Sequence, residues 1–253
     1  MHIAQPALSR QIQALEQQLG AKLLDRDRRG VSLTPAGRQL LDDAVPLLAA
    51  ADATRRRAQR AARGTSALVV GFRTGIIPTA AVRAFSAQHP DVTVEVQRLE
   101  WDDQEQAVLS GRVDIAYVRR PIDERGLKLT PLYAERRLAA LRSDHPLAAR
   151  AAVTVAELAG EHHLRYLEPV KTGPARTTML RSVEEKLEYV AAGHGVIVLP
   201  LSATEYYTRP DIVYVPVSDA EPDEVLLASE VSRRSKLIAA FVAAARAEVR
   251  PSE

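Results

Sequence analysis

The sequence predicts an α/β protein with a helical head, one long helix, and a body of two α/β lobes. Three observations predict this. From Ala67 onward strands alternate with helices, the pattern of parallel β-structure with crossover helices. Before that point the signals are helical except for one short hairpin. The last helix, Lys236–Glu248, carries Leu237, Ile238, Phe241 and Val242 on one face, which suits a chain that leaves its first unit, builds a second and returns.

The elements follow in order. Leu8, Ile12, Leu15 and Leu19 are spaced as the apolar stripe of an amphipathic helix, with Pro6 in its first turn and Gly20 as its stop. Two apolar pieces, Leu23–Leu24 and Val31–Leu33, flank the polar turn Arg26–Gly30 and predict a β-hairpin with an arginine-rich tip. Thr34 is the predicted N-cap, and Pro35 the first residue, of a helix reaching Arg63. Leu40, Leu41, Val45 and Leu48 keep near-heptad spacing, as in a helix that pairs with a second copy, and Pro46 is expected to bend it. In the body, "ALVVGF", "VTVEVQRL" and "VDIAYV" are strands, alternating with helices at Pro78–Gln88 and Asp103–Ser110. "ERRLAALRSDHPLA" looks like a strand leaving that first unit, and a second unit follows. Short strands at His163–Leu167 and near Thr177–Leu180, a helix at Val183–Ala192, and the strands "GVIVLP", "IVYVPV" and "EVLLASEV" follow.

The 253 residues hold no cysteine, which excludes disulfides, thiolate nucleophiles and Cys-based zinc sites. No run of 18 apolar residues and no signal-peptide layout is present, so a cytoplasmic protein with no membrane partner is expected. The net charge of +2 is unevenly spread: residues 1–66 carry 11 Lys/Arg against 6 Asp/Glu, and the remainder is net acidic. A basic head on an acidic body points to a polyanion partner or to a solvated charged helix.

"QPALSRQIQALEQQLGAKLLDRDRRGVSLTPAG" resembles the winged helix-turn-helix of LysR-type transcriptional regulators. "HPDVTVEV", "GRVDIAYV", "DHPLA" and "AAGHGVIVLP" follow in that family's order, and "IAQPALSRQIQ" looks most like its branch controlling aromatic-compound degradation. The resemblance implies a partial winged helix-turn-helix at 1–36, a dimerisation helix at 37–64, and a periplasmic-binding-protein-like effector domain at 67–253. Lobe I is expected at about 67–137 and 231–253, and lobe II at about 138–230. The implied partners are double-stranded promoter or operator DNA, a small organic effector, RNA polymerase, and further copies of the chain as a homodimer or homotetramer; no cofactor or metal is implied. The resemblance also places two scaffold helices before the opening helix, where only Met1–Ala4 stand. An N-terminal truncation or a start set too far downstream is therefore expected. It would leave the stripe partly unpacked, with burial of each side chain worth ~1.5–3 kcal/mol.

By resemblance Gln5, Pro6, Ser9 and Arg10 approach DNA. Gln13 lies with Arg10 on the polar face, whose side chains suit base edges and phosphates or are merely solvated. Arg26, Arg28 and Arg29 match the wing, where contacts to phosphate give affinity rather than sequence choice. The basic run Arg55, Arg56, Arg57, Arg60 and Arg63 is read as a solvated face or a dimer contact. For the effector the resemblance selects Arg73, Thr74, Gly75, Glu100, Trp101, Asp102, Arg119 and Arg120, with Tyr166, Leu167 and Glu168 on the opposite wall. Arg73 or Arg119 either holds a carboxylate bidentately or pairs with an acidic neighbour. Trp101, the only tryptophan, either stacks on an aromatic effector or fills the cleft. "PVKTGPA" leaves no room for the helix usually found there in the family, and "RTGIIP" is a shortened first strand-to-helix loop; both departures border the cleft, so the effector of other members does not carry over.

Gly193-His194-Gly195 lacks a dinucleotide fingerprint and is read as a tight helix-to-strand turn, and the adjacent His162 and His163 make a poor metal pair. Two rivals come from other classes. A solute-binding receptor lacks its signal peptide here. An enzyme on the same two-lobed fold would need a base such as Glu100 or Asp102, whose spacing fits a helix start equally well. The expectation is a regulator, not an enzyme.

Overall fold

The computed structural model describes residues 5–27, 30–62, 66–164, 169–173, 176–180 and 182–249. The head starts with α1 (Gln5–Leu19), followed by an antiparallel wing of β1 (Leu24–Asp27) and β2 (Gly30–Leu33), with Leu24 opposite Leu33. Arg28, Arg29 and residues 63–65 lie outside the described residues. Helix α2 (Pro35–Ala62) is unbroken through Pro46. Thr34 caps it as expected, its hydroxyl accepting from Gly37 N at 3.0 Å and donating to Lys22 O at 2.6 Å. Gly37 is required there, because a Cβ would stand 2.0 Å from the Leu23 carbonyl oxygen.

Lobe I begins with β3 (Ser66–Arg73), α3 (Thr79–Gln88), β4 (Val92–Leu99), α4 (Gln104–Leu109) and β5 (Ile115–Arg119). Strand β3 runs parallel to β4 and β5, as the strand–helix alternation predicts. The next strand, β6 (Leu127–Glu135), escapes the sequence reading because Pro131 interrupts its pattern. The chain then crosses into lobe II with β7 (Arg137–Arg142) and α5 (Val155–Leu158). A hairpin of β8 (Pro169–Gly173) and β9 (Arg176–Met179) occupies the stretch too short for a helix. After it come α6 (Val183–Ala191), β10 (Ile197–Pro200), α7 (Leu201–Tyr206) and β11 (Ile212–Pro216). Of the expected strand at 163–167, His163 bridges Val196 in parallel, and residues 165–168 lie outside the described residues.

The chain returns through β12 (Asp223–Glu230) to α8 (Lys236–Ala247). This corrects one boundary. Strand β12, placed in lobe II by the reading to 230, pairs antiparallel with β5 and β6 inside lobe I. The lobe I sheet has the order β4-β3-β5-β12-β6, and lobe II is built on β10-β7-β11. Both sheets are covered on two faces. Leu68 and Val70 pack with Phe85 and Phe241 on one side of lobe I, while Val69 between them packs with Val108 and Val118 on the other.

Candidate functional site

Both crossovers between the lobes pass through one small region. The first runs from Glu135 to Arg137, the second from Pro216 to Asp223. Arg137 Nη2 lies 3.0 Å from Asp223 Oδ1 and ties one crossover to the other. Arg119, at the end of β5, is buried between them. Its Nε lies 2.9 Å from Asp223 Oδ2, its Nη2 pairs with Glu135 and donates to Ser202 Oγ at 2.7 Å, and its Nη1 donates to Thr74 O at 3.3 Å. Glu135 in turn accepts from Ser202 N at 2.7 Å and from Ser202 Oγ at 3.1 Å. Burial lifts the Asp223 carboxyl above the usual carboxylate range against the pull of Arg119 and Arg137. Removing one member would leave a buried charge with fewer partners than it has now, which is costly in a dry place.

Around this cluster lies an interlobe cleft of about 220 Å³, smaller than the ~300–1,000 Å³ of sites for drug-sized ligands. Arg73, Thr74, Trp101, Arg119 and Arg120, all selected from the sequence, line it. Arg137 and Asp223 line it too and are absent from the sequence-based selection: "ERRLAALRSDHPLA" reads as a strand leaving the first unit, but nothing local marks either residue as facing the cleft. Gln104, also missed, is buried at the base. It donates to the carbonyls of Arg119 and Pro121, both at 3.1 Å, and accepts from Arg119 N at 3.3 Å and Arg73 Nη1 at 3.4 Å.

The other selected residues are placed differently. Gly75, at φ +83°, abuts lobe II so closely that a Cβ would stand 2.7 Å from the Ala203 backbone. Glu100 pairs with Arg98 at 2.5 Å, and Asp102 is exposed; neither lines the cleft. Arg120 pairs with Glu124 at 2.6 Å and Glu224 at 2.8 Å. Tyr166, Leu167 and Glu168 lie outside the described residues. A second, more apolar cavity of about 510 Å³ backs onto Glu135 and Ser202; Ile76, Tyr117, Leu132 and Tyr133 line it. Burial raises both phenols there above their ordinary pKa.

In the head, Gln5 and Pro6 lie in the first turn of α1, while Arg10 and Gln13 are exposed further along it. Arg26 lies on β1. A residue the reading overlooked holds this part together. Glu16 is buried and accepts from Leu23 N at 2.8 Å, Leu24 N at 3.2 Å and Lys22 Nζ at 3.2 Å.

A winged head, a long helix and a two-lobed body with a charged cleft at its crossovers define a ligand-responsive DNA-binding regulator. Family comparison makes this specific. Residues 68–250 match the LysR substrate binding domain, and residues 1–38 match the bacterial regulatory helix-turn-helix of the lysR family. The chain belongs to the LysR family of transcriptional regulators, so the enzyme alternative falls. Among relatives, the HTH-type transcriptional regulator TfdT of Cupriavidus pinatubonensis is 50% identical over 123 residues, covering 47% of this chain and 54% of TfdT. BenM of Acinetobacter baylyi is 31% identical over 244 residues, covering 88% of this chain and 79% of BenM. Full-length BenM superposes with TM-score 0.58 at 26% identity, covering 97% of this chain and 88% of that one. The fold is shared with CbnR at TM-score 0.65 and 22% identity, covering 99% and 91% of the two chains. Among the described residues no helix is long and apolar enough to cross a membrane.

Proposed function

We propose that the interlobe cleft binds a small organic acid, aromatic or otherwise, and that its occupancy changes how the cytoplasmic regulator sits on operator DNA. One observation carries this reading: four arginines, a single carboxylate and the only tryptophan line a cleft of single-ring size. Arg119 is buried between Glu135 and Asp223, whereas Arg120 pairs with Glu124 and Glu224 on its exposed side and the half-exposed Arg137 pairs with Asp223. The reading assigns the ligand to Arg73, Arg120 and Arg137 by exchange of their present partners, with Thr74 as a hydroxyl donor and Trp101 as an aromatic platform. A solved relative at the level of fold, the BenM effector binding domain, is described with its effector benzoate, which makes benzoate a reasonable probe. Titration with benzoate should change Trp101 fluorescence saturably, and Arg73→Ala with Arg137→Ala should weaken the response at least tenfold. An unchanged response in that double variant would move the ligand elsewhere, with the larger cavity the first place to look.

For DNA, the reading places Gln5, Pro6, Ser9, Arg10 and Gln13 against the duplex, with Arg10 and the glutamines suited to base edges and Ser9 to base or phosphate, and assigns phosphates to Arg26, Arg28 and Arg29. The working units remain the head at 1–36, the linker at 37–64 and the body at 67–253. Leu41, Val45 and Leu48 form one exposed face of α2, which supports pairing with a second copy in a homodimer or homotetramer. RNA polymerase is the further partner assigned to the DNA-bound form. At fixed salt, Arg10→Ala should cost about 1–3 kcal/mol on a preferred operator and relax base choice. A uniform loss across sequences would reassign Arg10 to phosphate.

A further inference from the structure

Among the described residues, three contacts join the lobes around the cleft. Deepest is the charge cluster at Ser202, and beside it Gly75 rests on Ala203. The third contact lies at the mouth. Glu184, in the first turn of α6 and next to the cleft-lining Val183, belongs to lobe II. Its Oε1 accepts from the Tyr207 hydroxyl at 2.6 Å and lies 3.7 Å from Nη1 of Arg98, which projects from β4 of lobe I. The Thr74 side chain of lobe I is close enough to the Tyr207 hydroxyl to act on it, favouring the ionised phenol less strongly than burial and Glu184 oppose it. Burial and Glu184 both raise the Tyr207 phenol, which therefore remains a donor at neutral pH. Partial burial pulls the Glu184 carboxyl upward, but the bonds from Tyr207 and Ser182 and the charge of Arg98 bring it below its ordinary value, so it is ionised.

A resident carboxylate thus occupies the kind of donors, a phenol and a guanidinium, that an incoming carboxylate seeks. The phenol is its neighbour within lobe II, and the guanidinium of Arg98, which also pairs with Glu100 at 2.5 Å, joins it to lobe I. We propose that Glu184 determines which acids the cleft accepts, by acting as an internal competitor whose Tyr207 and Arg98 contacts clasp the mouth until a ligand carboxylate displaces it. The competition part rests on the organic-acid reading above; the clasp does not. A ligand too weak to replace a charge-assisted hydrogen bond would fail to enter, which gives the cleft a threshold as well as a shape.

Three substitutions in the whole 253-residue chain test this. Glu184→Gln removes the competing charge, Tyr207→Phe removes the shared donor, and Asp91→Asn makes the same change of charge on an exposed residue between α3 and β4. Without ligand, amide hydrogen exchange at residues 73–77 and 203–207 should quicken by roughly tenfold in Glu184→Gln and Tyr207→Phe, and stay unchanged in Asp91→Asn. With benzoate followed by calorimetry, Glu184→Gln should bind about tenfold tighter and Tyr207→Phe about tenfold weaker, a split of sign that mere loss of structure does not give. Unchanged exchange in Glu184→Gln overturns the clasp, and unchanged or weaker benzoate binding in that variant overturns the competition. If none of the proteins binds benzoate, the organic-acid reading falls with its competitor, and the exchange rates alone decide the clasp.

Discussion

Leu187 on α6 and Leu15 on α1 both lie on the apolar side of an amphipathic helix, yet the first is 1% exposed and the second 39%. The contrast runs through the two regions. In the body, Leu187 joins Val190, Ile197 and Leu199 beneath a sheet, and helices on both faces close each lobe. In the head, Leu8, Leu15 and Leu19 are open among the described residues. The contacts seen there are polar anchors: Glu16 on the amides of Leu23 and Leu24, and Thr34 on the Lys22 carbonyl. Among the described residues, then, the body is held by burial and the head by hydrogen bonds.

Matched truncations give the largest effect. Phe241→Ala should lower the urea-unfolding free energy of the body by about 3–5 kcal/mol, since the ring is fully buried and packs edge-on against Phe85 at 5.7 Å and Tyr117 at 6.2 Å between centroids. Leu15→Ala should cost less than about 1 kcal/mol by the same measurement. Equal losses would mean that the head has a hidden core and would end the comparison. Gly75→Val comes next. At φ +83°, with the Ala203 backbone 2.7 Å from any Cβ, no flexible neighbour can yield, so strain of about 1–3 kcal/mol is expected. Small-angle scattering should show the lobes moved apart; an unchanged profile would show that the loop gives way instead.

The same division governs what was legible in the sequence. Helices and strands of the body were readable because two-sided burial leaves continuous apolar runs, as in "ALVVGF", and regular helical stripes. The N-cap at Thr34 was readable because capping is local, whereas the role of Gly37 depends on a carbonyl 14 residues earlier in the chain. In the cleft, the residues suggested by resemblance cluster around the end of β3 and the end of β5. Arg137, Asp223, Gln104 and Ser202 carry no local signature, because their meaning arises only where two crossovers meet. Glu16 was overlooked for the same reason. In "QALEQQLG" it looks like one more solvated residue, and only the turn back to Leu23 buries it.

Glu16 supplies the smallest and most pointed test. Hydrogen bonds from the Leu23 and Leu24 amides, then Lys22, hold its carboxyl below the usual glutamate value in the folded chain. A lowered folded pKa means that its contribution is complete above the unfolded value of 4.5 and fades as pH falls through the folded one. Protection of the Leu23 and Leu24 amides, taken relative to Leu138 in the body, should therefore decline below about pH 4.5 in the wild type. In Glu16→Gln the neutral amide still accepts one bond but cannot titrate, so relative protection should be lower at pH 7 and flat through the acid range. If the variant shows the same acid step as the wild type, another carboxylate controls the head and hydrogen bonding by Glu16 is not its anchor. If relative protection is flat in both, the head is held by burial after all, and its likeness to the body is closer than its exposed leucines suggest.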